Sequence, residues 1–281
     1  MGEEWKSLLI QEGKRVFFDI AYQGCGNGCK YCYVPSASEE QKLASYKDLS
    51  RAIECLNDYP ECPQIISFCP NTEPFKTTGS IDRVLFVLRG LQDQRYHIQI
   101  STKEYMSNLL LQELNFLAEK NEIFINISIP FLESYKLEPG ASNVEQRILN
   151  LERIQHYSHL KCGLYIKPCT QKAIDNVDQY IAIAKRTHPD YICVGVIFEQ
   201  SIDIPCTTLH RKKDAIQVIT TQKNLLVAFV AKIRTSVQCP VVYSSICAIS
   251  QLSQYPCLLN LWQYDIDICS GCKYIVSKDI D

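Results

Sequence analysis

The chain has 281 residues, 46% of them hydrophobic, and a formal net charge of −2. That length holds one large α/β domain, or one domain with an appendage, and the apolar content is ample for a core. The near-neutral balance excludes an obvious polyanion binder, and no run of about 18 apolar residues offers a membrane span.

The first residues, Met1-Gly-Glu-Glu-Trp-Lys, are polar and acidic and do not read as a secretory signal. Gly2 followed by Trp5-Lys6-Ser7 matches a myristoylation site too weakly to keep. The cysteine count is 15, odd and without a signal ahead of it. Reduced thiols, metal ligation and core packing explain it better than a disulfide framework, and the expected location is cytoplasmic.

In chain order, residues 16–21 read as a first strand that feeds the run Gly24-Cys25-Gly26-Asn27-Gly28-Cys29-Lys30-Tyr31-Cys32-Tyr33. Thiolates spaced C-x3-C-x2-C are soft ligands that suit an iron–sulfur cluster. Three cysteines leave one iron of a four-iron cubane open to a small molecule. The glycines let the backbone wrap a bulky group, and the aromatics can pack on it. The rivals are zinc, which pairs cysteines and needs four ligands, and separate buried thiols.

Ser45 then caps a helix with Leu49, Ala52, Ile53 and Leu56 on one face. A second strand spans 65–68, and Ser80 caps a helix that turns Ile81, Val84, Leu85 and Leu88 inward. A third strand spans 98–101, followed by a helix burying Leu109, Leu110, Leu114 and Leu117. The fourth, 123–129, alternates strictly, with isoleucine at every odd position. Ser142 and Glu145 form a capping box before Ile148, Leu149 and Ile154. A fifth strand spans 162–167, and its helix carries Val177, Tyr180, Ile181 and Ala184. A sixth strand spans 191–198, and a basic loop leads to a last helix over 225–233.

Six strands alternating with helices predict a partial (β/α)6 TIM-like barrel over 1–238. Residues 239–281 read as a short, irregular, cysteine-rich C-terminal extension. In α/β barrels the chemistry sits at the C-terminal strand ends, and Cys25, Cys69, Lys103, Ser128 and Pro168 all fall at or just beyond them. Glu138 and Arg147 can pair to shape the rim. In the extension, Cys247, Cys257, Cys269 and Cys272 can close a tetrahedral site for zinc or an auxiliary cluster, with Cys239 as a substitute for Cys257. Separate buried thiols are the alternative.

The loop C-x3-C-x-Tyr-Cys-Tyr resembles the signature of radical S-adenosylmethionine (SAM) enzymes, and the fold expected is their partial barrel. Within them the chain looks most like the spore photoproduct lyase group over roughly residues 15–235. The matches in order are the cysteine loop, Cys69 after the second strand, Thr102-Lys103, Ser128, and Glu138-Pro139-Gly140 with Arg147. The loop Pro70-Asn71-Thr72-Glu73-Pro74-Phe75 is closer to other radical SAM members.

The resemblance implies a [4Fe–4S] cluster on Cys25, Cys29 and Cys32 that cleaves SAM to a 5′-deoxyadenosyl radical. It implies SAM contacts from Tyr33, Glu73, Ser101, Lys103, Asn126, Ser128 and Lys167, with Glu73 on the ammonium. Cys69 would return a hydrogen atom, with Tyr31 and Tyr33 in the relay, although packing also accounts for all three. An electron donor such as flavodoxin or ferredoxin is implied. Three functions compete. One is radical chemistry on a nucleic acid or nucleotide, with Arg211, Lys212, Lys213 and Lys223 facing phosphate. Another is modification of a peptide or small metabolite beside an auxiliary cluster. The third is a non-enzymatic iron–sulfur or zinc module.

Overall fold

The computed structural model describes residues 4–12, 15–32, 34, 36–58, 65–91, 96–133, 136–195 and 223–254. After a 3-10 turn over Glu4–Leu8, β1 (Leu9–Glu12) and β2 (Arg15–Phe18) pair antiparallel. Then β3 (Ala21–Gln23) and β4 (Lys42–Leu43) form a small separate sheet, ahead of α1 (Tyr46–Asn57). The units β5 (Ile65–Phe68) with α2 (Thr78–Gly90), β6 (His97–Thr102) with α3 (Asn108–Leu117), and β7 (Glu122–Ser128) with α4 (Val144–Ile154) follow. Next come β8 (Leu160–Ile166), α5 (Gln171–Asp175), α6 (Val177–Thr187) and β9 (Tyr191–Val194). The described chain ends with α7 (Lys223–Arg234), β10 (Val241–Val242) and α8 (Ser245–Leu252).

The main sheet runs β1-β2-β5-β6-β7-β8-β9-β10, and every neighbour pair from β2 onward is parallel. This is the expected partial barrel. Among the described residues it stays open, with β1 and β10 as its edges. The first strand is shorter than expected: β2 stops at Phe18, and Ala21–Gln23 leaves the sheet to pair with Lys42–Leu43. That side step delivers the chain to Cys25. Past residue 240 the described part of the expected irregular stretch, up to residue 254, carries regular elements: β10 pairs parallel with β9 and α8 follows it. The boundary at 238/239 thus falls between α7 and β10, where Arg234 hydrogen-bonds the Val241 carbonyl.

Of the three expected helix caps, one stands and two are shifted. Ser45 caps α1 as expected. For α2 the cap is Thr77, and Ser80 is its reciprocal partner. For α4 the capping box is Asn143 with Gln146. Ser142 is unavailable because its hydroxyl bonds Glu104 Oε2 at 2.7 Å and takes the Tyr105 N–H at 2.9 Å. On α3 the buried face is Leu110, Leu111, Leu114 and Leu117, whereas Leu109 is 69% exposed. Ser107 caps that helix, which puts Leu109 in its first turn on the solvent side.

The sheet is buried on both faces. Ile123, Ile125, Ile127 and Ile129 join the core beneath the helices. Phe124, on the other face of β7, packs with Ile65, Tyr191 and Cys193 against Ile246 and Ile249 of α8. So α8 covers the inner face near the N-terminal strand ends, and Ser253 just after it bonds Glu122 Oε2 at 2.7 Å. Gly163 of β8 makes room for this inner packing, since a Cβ there would lie 2.2 Å from the Tyr191 ring. Gly163→Ala should therefore lower stability by roughly 1–3 kcal/mol through overpacking. Urea unfolding with an unchanged midpoint would show that the ring moves aside freely.

Candidate functional site

The cysteine loop is shaped by left-handed backbone. Gly24, Gly26 and Gly28 have φ of 83°, 79° and 58°, a region costly for other residues. At Gly24 a Cβ would also fall 2.0 Å from the Glu40 carbonyl oxygen. The turn at Gly140 lies directly on this loop: its N–H bonds the Asn27 carbonyl at 3.0 Å, and a Cβ would sit 2.5 Å from the Gly26 oxygen.

Cys25, Cys29 and Cys32 are all half-buried on that loop. Burial, then Glu73, pushes the Cys25 thiol up to about 12. Burial pushes Cys29 up to about 11 against the opposing pull of Lys103. Among the described residues no three Cys, His, Asp or Glu side chains converge on a single-ion site. A cubane spreads its thiolates over separate irons, so three thiols around one tight loop suit it better than they suit one ion. Tyr33 lies outside the described residues.

Next to the loop is a buried charge network. Glu138 Oε2 accepts from Arg147 at 2.6 Å, and both side chains are fully buried. Tyr31, packed on Phe131, donates its hydroxyl to Glu138 Oε1. Burial and then Glu138 hold that phenol well above its ordinary value. Lys103 Nζ stands 3.9 Å from Glu138 Oε1. Burial pulls its ammonium down, but Cys29, Glu138 and Glu73 together hold it above its ordinary value. The expected Glu138–Arg147 pair is therefore present, and Lys103 joins it beside Cys29.

Glu73 is tied by the protein itself. Its Oε1 accepts from the Thr102 hydroxyl and from Phe75 N at 3.4 Å. Its Oε2 accepts from Lys103 N at 3.0 Å and from Asn27 Nδ2 at 3.2 Å. A carboxylate has about four acceptor positions, so an incoming ammonium would have to displace a donor. The fastening of this loop to the cysteine loop and to β6 was not foreseen, because the motifs that contain Asn27 and Thr102 do not say which loop their side chains reach.

On the inner face Tyr191 donates to Asn126 Oδ1 at 2.7 Å, and Asn126 Nδ2 reaches Ser101 Oγ at 3.2 Å. Asn126 and Ser128 are buried, so neither faces solvent. Ser128 Oγ has no partner among the described residues. An unmatched buried hydroxyl at a strand end fits a polar ligand in the mouth. Lys167 lies against Gly195 at the end of β8, and burial lowers its ammonium to about 8. Cys247 packs against the apolar cluster on the inner face, while Cys257, Cys269 and Cys272 lie outside the described residues. Arg211, Lys212 and Lys213 lie outside them as well, and Lys223 opens α7.

Cys69 is buried and holds a left-handed φ of 53°, with its N–H on the Phe18 carbonyl at 2.8 Å. Burial, then Asp19 and Glu73, keep its thiol well above the ordinary value. Asp19 was missed in the sequence, although it directly follows the apolar strand and shares the parity of Arg15 and Phe17. Its Oδ2 accepts from Asn71 at 2.9 Å, while the buried Oδ1 has no partner among the described residues. Burial raises its carboxyl from 3.8 to about 7, against the Asn71 hydrogen bond.

A carboxyl raised on folding stabilises the fold below its unfolded value, and that stability is lost as pH rises through the folded one. The Asp19 contribution should therefore fade between about pH 4 and pH 7, by at most about 1.4 kcal/mol per pH unit. Asp19→Asn should lose this dependence, so its stability relative to wild type should rise across that window. Parallel pH curves from urea unfolding would contradict the assignment.

No protein-family model matches the chain. No curated protein matches it. Solved structures do resemble it. A spore photoproduct lyase variant with bound AdoMet and dinucleoside spore photoproduct superposes with a TM-score of 0.57 at 11% identity, over 82% of this chain and 76% of that one. SuiB of Streptococcus suis bound to S-adenosylmethionine gives 0.57 at 12% identity, over 83% and 51%. SuiB bound to its precursor peptide SuiA gives 0.61 at 12%, over 92% and 56%. The chain thus spans about half the length of SuiB. With its parallel strands in sequential order and the cysteine loop after the first of them, the chain has the fold of spore photoproduct lyase and SuiB, a partial α/β barrel.

Proposed function

We propose that this chain is a radical SAM enzyme that abstracts hydrogen from its substrate. The observation that carries the reading is the meeting of three half-buried thiols, Lys103 and the unmatched Ser128 hydroxyl at one end of a parallel sheet. Cys25, Cys29 and Cys32 would hold a [4Fe–4S] cluster, which supplies the electron that cleaves SAM to a 5′-deoxyadenosyl radical. Lys103 offers a cation to the SAM carboxylate, and Ser101, Asn126 and Ser128 offer hydroxyl and amide groups to the rest of the molecule. Glu73 fixes the loop that borders SAM, because its four acceptor positions are engaged. The reading includes a small reducing partner such as flavodoxin or ferredoxin and a cytoplasmic location.

For the substrate, the lyase-like reading is supported by the placement of Cys69, buried after β5 next to Asp19 and near Cys25. A thiol there can return a hydrogen atom to a product radical. The peptide reading is supported by SuiB, whose complex with a precursor peptide covers 92% of this chain.

Anaerobically reconstituted protein with SAM and a reductant should form 5′-deoxyadenosine, and Ala at Cys25, Cys29 or Cys32 should abolish it. Product from the triple Ala variant would reject the cluster assignment. Lys103→Met should raise the KM for SAM roughly 10-fold or more, the worth of one charge-assisted hydrogen bond. An unchanged KM would place the SAM carboxylate elsewhere. Cys69→Ala should keep SAM cleavage while consuming SAM stoichiometrically with the true substrate. Wild-type coupling in that variant would leave the thiol a packing role only.

A further inference from the structure

A second polar cluster lies on the inner face, one layer beneath the residues just assigned to SAM. Gln99 stands two residues before Ser101 on β6, roughly 7 Å deeper along the strand. Arg15 Nε donates to Ser67 Oγ at 2.7 Å. Ser67 Oγ in turn reaches Gln99 Oε1 at 3.4 Å, and Ser245 Oγ reaches the same oxygen at 3.3 Å. A guanidinium can only donate, so the Ser67 hydroxyl accepts from Arg15, and its proton goes to the Gln99 oxygen. With Ser67 and Ser245 both on that oxygen, the amide nitrogen of Gln99 points away from them.

That nitrogen is buried, on a residue only 4% exposed, and has no partner among the described residues. A buried amide donor left without an acceptor costs on the order of 1–3 kcal/mol, so proteins seldom keep one that neither a ligand nor an ordered water uses. The surroundings are positive. Lys167 enters from the end of β8 against Gly195, where burial first and the Arg15 guanidinium after it lower its ammonium. Ser245 is the first residue of α8, so the positive end of that helix dipole opens at the same place.

We propose that this cluster is an oxyanion site, in which Arg15, Lys167 and Gln99 Nε2 hold a carboxylate or phosphate group of the substrate. An anion beside the half-buried Arg15 and Lys167 gains from both charges, and Arg and Lys bind oxyanions with charge-assisted hydrogen bonds. The assignment of that anion to a substrate rests on the radical SAM reading; the binding of an oxyanion does not. The chemistry narrows the substrate to an acidic molecule, anchored beneath the SAM layer, and leaves the reacting part of it toward the mouth.

The test uses the full-length protein without cluster or SAM. Sodium phosphate and sodium acetate are titrated at constant ionic strength and followed by calorimetry. Wild type should bind one of them at a single site, phosphate marking a phosphorylated substrate and acetate a carboxylate. Arg15→Gln and Lys167→Met should each weaken that binding roughly 10-fold or more, the loss expected for one charge-assisted hydrogen bond. Arg15→Lys and Lys167→Arg keep the charge, and should retain binding if the first pair folds poorly. Lys47→Gln, on the exposed side of α1, should change nothing. No binding of either anion by wild type, or an equal loss in Lys47→Gln, would overturn the site. The titration needs no SAM and the SAM-cleavage assay needs no oxyanion, so the two readings fail separately.

Discussion

The buried pair of Glu138 and Arg147 is the contact on which the open end of the sheet depends. Two ions taken out of water cost several kcal/mol each unless their remaining hydrogen-bonding positions are filled. Here they are filled by chain segments that would otherwise be independent. Arg147 reaches the Ser128 carbonyl at 3.0 Å and the Ser142 carbonyl at 2.8 Å, while Glu138 takes the Tyr31 hydroxyl. The end of β7, the start of α4, the turn at Gly140 and the cysteine loop are thereby bound to one another. Removing either ion would strand its partner in an apolar setting, so the thiols cannot shift without disturbing the whole mouth.

A second buried carboxylate extends the same logic. Glu73 collects donors from the cysteine loop and from the end of β6. Both loops that border the thiols are thus held by acidic side chains with no freedom left. Asp19 differs, with one oxygen bonded to Asn71 and the other unmatched among the described residues. It stands beside a cysteine held in left-handed backbone. Left-handed backbone and an unmatched carboxyl together mark a part of the mouth that is poised rather than locked.

The two faces of the sheet divide the work. The outer face is a layer of isoleucine, leucine and valine packed beneath helices. The inner face is apolar only near its N-terminal end, where α8 covers it. Above that floor come Gln99, Asn126 and Ser128, all buried. Polar groups in such a place are tolerable because Tyr191, Ser101, Ser67 and Ser245 answer most of them. Those left unanswered, Gln99 Nε2 and Ser128 Oγ, sit in successive layers of the same interior.

The alternation of strands and helices, the isoleucine face of β7 and the glycine-spaced thiols were all legible in the residues, because each depends on local periodicity or short-range chain geometry. The Glu138–Arg147 pair was legible too, since nine residues separate its members around one helix start. Element ends were less so. Ser142 is a sound cap by type, but Glu104 and Tyr105 claim its hydroxyl, and Asn143 caps instead. The strand at β10 and the helix that floors the barrel could not be read from two valines and a short apolar run, since only the existing sheet edge and inner surface give them partners. Arg15, Ser67, Gln99 and Ser245 are ordinary residues scattered across 230 positions, as the span from residue 15 to residue 245 shows. They become one cluster because parallel strands set Ser67 beside Gln99, Arg15 reaches them from one step lower on the neighbouring strand, and α8 brings Ser245, and sequence distance carries no record of that.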